Sequence, residues 1–65
     1  MMRMTMIKIK DYDYYEILDD DTFKIHGLKK HLTHNQSITF ETNLGLGYNC
    51  YVLSINDDFT IIKKY

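Results

Sequence analysis

The side chains best suited to chemistry in this chain are three histidines and one cysteine: His26, His31, His34 and Cys50. Imidazole nitrogens and thiolates are the usual protein donors of tetrahedral zinc sites. His31 and His34 stand three apart, which places both rings on one face of a helical turn. Their spacing to His26 and Cys50 matches no finger or zincin pattern, and a lone cysteine cannot supply a thiolate pair. The segment therefore reads as polar surface, with no metal and no cofactor expected. Catalytic signals are weaker still. No nucleophile has a base at a recognisable spacing, and the G-x-G of NLGLGYN (residues 43–49) lacks both a third glycine and a following helix pattern, so it reads as a turn. A domain of 65 residues has little room for a substrate pocket of several hundred Å3. A non-enzymatic protein is expected.

Binding is the better prospect. Residues 11–21 read DYDYYEILDDD, with six carboxylates and three tyrosines. Tyrosines bury large area at low entropic cost, and carboxylates steer association with basic surfaces. Asp11, Tyr12, Asp13, Tyr14, Glu16, Asp19, Asp20 and Asp21 are the candidate partner-binding residues. The plain structural counterpart is an edge strand whose charges discourage strand-to-strand aggregation. A second candidate surface is basic: Lys29, Lys30 and His31, joined by Lys63 and Lys64. Small barrels bind single-stranded nucleic acid through basic grooves lined with stacking aromatics, here Tyr48, Tyr51 and Phe59. A net charge of −1 and the acidic stretch oppose phosphate binding, so ordinary solvated lysines are the favoured reading.

The net charge conceals segregation into blocks: a basic start at Arg3, Lys8 and Lys10, the acidic stretch, a basic middle, and a basic end. No apolar run reaches the roughly 20 residues that span a bilayer. MMRMTMIKIK alternates into charge too quickly for a signal peptide, so a cytoplasmic protein without membrane association is expected. A single cysteine excludes an internal disulfide and suits a reducing compartment. A domain this small buries only about 60% of its unfolded surface, which makes a homodimer a plausible source of extra stability.

Alanine, proline and tryptophan are absent, while Ile, Lys, Asp, Asn, Tyr and Thr abound. In size and composition the chain resembles small accessory proteins of phages and mobile elements of low-GC bacteria. That resemblance implies a protein-binding inhibitor, acting in the host cell cytoplasm on a larger host protein with a basic surface. A defence nuclease such as a CRISPR effector, a replication factor or RNA polymerase are the target types implied.

The elements that position these residues follow from period-2 alternation. Thr5–Lys10, Tyr12–Leu18, Thr22–Gly27, Ser37–Thr42, Tyr48–Ile55 and Phe59–Tyr65 read as strands, with turns at Asp19–Asp21, Asn43–Gly47 and Asn56–Asp58. Leu28 and Leu32 are four apart and predict a short helical turn near 28–34, with Asn35 as a left-handed cap. An alternative α+β reading places one helix at about 21–33, against which Gly27 and the β-branched Thr22 and Ile25 argue. The expected architecture is a single all-β domain over 1–65: a five- or six-stranded antiparallel barrel or sheet, SH3-like or OB-like. Val52, Ile55, Ile61 and Ile62 are the strongest apolar positions of the last hairpin. Tyr14 is expected to face outward and Tyr15 inward, beside Ile17.

Overall fold

Strands form where alternating side chains leave one face to bury, and six segments of this chain do so. The computed structural model describes residues 6–65, so Arg3 and Thr5 lie outside the described residues. The strands are β1 (Ile7–Ile9), β2 (Tyr14–Ile17), β3 (Thr22–His26), β4 (Ser37–Glu41), β5 (Gly47–Ile55) and β6 (Phe59–Lys64). They make one sheet in the order β1-β4-β5-β6-β3-β2, curled into a half-barrel.

Every neighbouring pair is antiparallel except β1 and β4, which run parallel with Ile7 beside Ile38 and Ile9 beside Phe40. The expectation of a wholly antiparallel sheet is corrected at this edge. The chain leaves β1 toward the opposite edge of the sheet instead of turning back in a hairpin, so β1 lies alongside β4 in the same direction.

The register puts the apolar residue of each strand on the concave face. Ile38 faces Cys50, Phe40 faces Tyr48, Val52 faces Ile62, and Phe23 lies between Ile62 and Ile17. Ile9, Ile25, Ile38, Phe40, Cys50, Val52 and Ile62 are fully buried there. The final hairpin divides as its sequence requires, with Ile62 in the core and Ile61 half-buried on the convex face beside Lys24. Ile55 departs from expectation and is 48% exposed. A bulge shifts the register between Val52 and Ser54, and Ile55 ends the strand where the concave face runs out.

No helix forms among the described residues. The helical turn expected near 28–34 is replaced by an irregular connection, and the alternative helix at 21–33 is replaced by β3. The reason lies in where the backbone bonds go. Lys29 N–H donates to Asp11 O, and Asn35 N–H to Val52 O, so both tie to other elements and not to carbonyls one turn away. Leu32 is buried and Leu28 packs against the core from this extended path. Gly27 and Asn35 turn the chain at the two ends, with φ of 70° and 67°. Asn35 thus takes the left-handed conformation expected of it, at a turn closed by Gln36 N–H to Thr33 O.

Phe40 is the largest fully buried side chain, and Phe23, Tyr12 and Tyr15 all contact its ring. Phe40→Ala is expected to cost about 3–5 kcal/mol, much of a small domain's total stability. Ile55→Ala should cost less than about 1 kcal/mol. Urea unfolding of the two variants checks the ranking, and equal midpoints would contradict this core.

Candidate interaction surface

The acidic stretch forms the outer strand of the sheet. Among the described residues β2 pairs only with β3, and its other edge is the end of the strand order. The bond from Leu18 N–H to Thr22 O sets the phase of this ladder. Alternation in antiparallel pairs then turns the backbone groups of Tyr14 and Glu16 toward β3 and those of Tyr15 and Ile17 away from it. Tyr14 and Glu16 project from the convex face. Tyr15 points into the concave face, as its alternation with Tyr14 requires. Ile17 shares that face yet is 67% exposed, because the half-barrel is open beside it.

Three local devices hold this edge in place. Tyr12 turns inward: its ring contacts Phe40 and Tyr15, and its hydroxyl donates to Glu41 O at 2.9 Å. Burial and the nearby Tyr15 and Glu41 raise its phenol above the ordinary value. Tyr12 therefore acts as a clasp across the mouth of the half-barrel, and is the least available of the predicted binding residues. Asp13 is stitched to the start of the β3–β4 connection. Its N–H donates to His26 O, its carboxylate lies against Gly27, and Lys29 Nζ sits 3.4 Å from it. At the far end, Asp21 N–H donates to Asp19 Oδ1 at 2.8 Å, an Asx turn that holds the Asp19 carboxyl below its usual range. Asp21 O in turn accepts from Lys64 N–H.

The carboxylates are consequently spread along the edge, with Asp11 and Asp13 at one end, Glu16 in the middle and Asp19–Asp21 at the other. Among the described residues, an ion pair with lysine reaches only Asp13 of these six, and Glu16 shares a hydrogen bond with His26 Nε2 at 2.6 Å. Beside the strand runs an open groove of about 700 Å3, more room than a domain of this size was expected to hold, lined by Tyr14, Tyr15 and Ile17 on one side and Thr42, Asn43 and Gly45 on the other. Leu18, Leu44 and Leu46 are exposed in the adjoining segments.

The basic candidates do not converge. Lys63 and Lys64 are successive on β6 and point to opposite faces. The Lys64 ammonium lies 4.7 Å over the Tyr48 ring and 5.6 Å over Phe23, on the concave side. Lys29, Lys30 and His31 are exposed in the β3–β4 connection, with Lys29 already paired to Asp13. The histidines and the cysteine are likewise apart. His26 lies on the convex face, Cys50 in the core, and His31 and His34 in solvent. No group of three or more metal-ligating side chains occurs among the described residues.

One surface escaped the reading of the sequence. Tyr14 stacks on His26 at 4.3 Å between ring centres, His26 neighbours Phe59, and Lys24 Nζ sits 4.2 Å over the Phe59 ring. This aromatic row crosses three strands on the convex face. Only the register, with Tyr14 opposite His26 and His26 opposite Phe59, brings it together.

Among the described residues no helix is long and apolar enough to cross a membrane. No family model matches the chain, and no match was found among curated proteins or solved structures.

Three outcomes follow from this geometry. Gly27→Ala forces a side chain into both a left-handed backbone and the Asp13 carboxylate, and should lower stability by at least about 1–2 kcal/mol in thermal unfolding. Burial pushes the Cys50 thiol up to about 11, so the folded protein should resist thiol reagents at pH 8 and react only after unfolding. Asp19 has a folded pKa depressed below 3.8, so its contribution is present above that value and disappears as pH falls through the lower one. The stability difference between the parent and Asp19→Ala should therefore be larger at neutral pH than in acid, as read by denaturation across pH.

Proposed function

We propose that this chain is a small non-enzymatic protein-binding module that engages a basic partner through the β2 edge. The observation that carries this reading is an outer strand whose backbone groups at Tyr15 and Ile17 face away from β3, with no strand beyond them among the described residues, flanked at both ends by exposed carboxylates. Size and composition, which resemble those of phage and mobile-element accessory proteins, support the finer reading of an inhibitor that occludes a functional surface on a larger host protein. The groove beside β2 and the exposed carboxylates at its two ends agree with an occluding role.

A second reading, a nucleic-acid-binding module, draws on the convex row of Tyr14, His26 and Phe59 with Lys24. Stacking aromatics beside lysines suit single-stranded nucleic acid. The neighbouring carboxylates oppose it. An oligonucleotide shift assay across salt separates the two, because phosphate binding must weaken steeply as salt rises.

Affinity capture from host lysate identifies the partner, and charge reversal then tests the surface. Asp13 and Asp19 hold local structure, so Asp11→Lys with Asp20→Lys is the informative pair. Association should slow by about tenfold at low salt, with a melting temperature close to the parent's. Tyr14→Ala should raise the dissociation rate instead. An affinity unchanged at low salt in the double reversal would leave the stretch as a solvated strand and turn.

A further inference from the structure

We infer that the β2 edge is completed by an extended strand of the partner, which adds to the sheet and carries alternating basic and apolar residues. This rests on the protein-binding reading above and specifies how the partner is held. The backbone N–H and C=O groups of Tyr15 and Ile17 face away from β3, and among the described residues no strand lies beyond them. Such groups are a template for one more strand.

The faces of β2 dictate what that strand must contain. Residues opposite Tyr15 and Ile17 point to the concave side, over the groove of about 700 Å3 bounded by Thr42–Gly45. Ile17 offers an apolar contact there, being 67% exposed at a core-facing position. The residue opposite Glu16 points to the convex side, where a lysine or arginine meets a carboxylate. Basic residues before and after it reach Asp11 and Asp13 at one end and Asp19–Asp21 at the other. The recognised segment is thus extended, apolar on one face, and basic on the other.

A second copy of this chain fits poorly at the same edge. Antiparallel self-pairing about Glu16 sets Glu16 against its own counterpart and brings the aspartate turn of one copy beside Asp11 and Asp13 of the other. Like charges directly opposite across strands are destabilising.

The test uses the full chain and a hexapeptide of alternating lysine and valine, compared with the same peptide N-methylated at every amide. Methylation keeps the charge and removes the donors needed for strand addition. The unmodified peptide should bind and slow amide exchange at Tyr15 and Ile17, and the methylated one should bind about tenfold more weakly or worse, the worth of two or three backbone hydrogen bonds. Ile17→Pro supplies the matching change in the protein. Its lost N–H faces outward, so the fold should persist while peptide binding falls by a similar factor. Equal affinity of the two peptides, with Tyr15 and Ile17 still exchanging freely, would overturn strand addition while leaving an acidic surface that attracts charge alone. Failure of both peptides together with an unaffected partner in the Asp11→Lys, Asp20→Lys variant would remove the β2 edge as the partner surface, and strand addition with it. Dimers in sedimentation with Tyr15 and Ile17 already protected would assign the edge to a second copy and overturn the basic strand.

Discussion

Ile9 and Tyr14 belong to strands on opposite edges of a six-stranded sheet, yet only four residues separate them. A fully extended chain from one to the other spans at most about 18 Å. Six strands laid flat, at about 4.8 Å per spacing, would put those edges about 24 Å apart. The short link between β1 and β2 is therefore incompatible with a flat sheet. Curling brings the two edges within reach, and the concave face this creates is the only place where a chain so small can bury a core. Most other features of the molecule follow from that one tether.

The curl explains why the largest aromatic residues gather as they do. A half-barrel has an open mouth, and the linker crossing it must cover apolar surface while satisfying its own polar groups. Tyr12 does both, with its ring on Phe40 and its hydroxyl on Glu41 O. Phe23 and Tyr48 continue the cluster, and Lys64 lays its ammonium over them. The β3–β4 connection closes the other flank with Leu28 and Leu32. Its backbone bonds to Asp11 and Val52 make it part of the same closure. A helix there would have consumed those donors internally and left the linker unanchored.

The strands were legible because period-2 alternation survives even in segments of three to five residues: Ile38 and Phe40, Phe23 and Ile25, Ile7 and Ile9. Their order was not legible, since alternation names a face and never a neighbour. That is why the parallel β1–β4 pair and the convex row of Tyr14, His26 and Phe59 emerge only from the register. Leu28 and Leu32 misled for a related reason. A four-residue spacing brings two side chains to one side of a helix, and an irregular chain pinned at Asp11 and Val52 can do the same. In the candidate site, the outward Tyr14 followed from its opposition to Tyr15. The inward turn of Tyr12 could not, because it depends on Glu41, 29 positions away.

An open half-barrel always leaves two edges, and β2 carries its exposure in an unusual way. Unpaired backbone groups attract any extended chain, including another copy of the same protein, and small sheets commonly defend them with charge. Here the defence has one sign. Carboxylates at both ends and in the middle of β2 repel a second β2 and any neutral or acidic strand that must sit against them. They impose no such penalty on a basic strand, for which the same charges lower the cost of approach. In the proposed reading, protection against self-association and selection of a basic partner are consequences of one charge pattern. The physical distinction between a guarded edge and a binding edge lies in the other molecule, because the fields and hydrogen-bonding groups that β2 presents are the same in both cases.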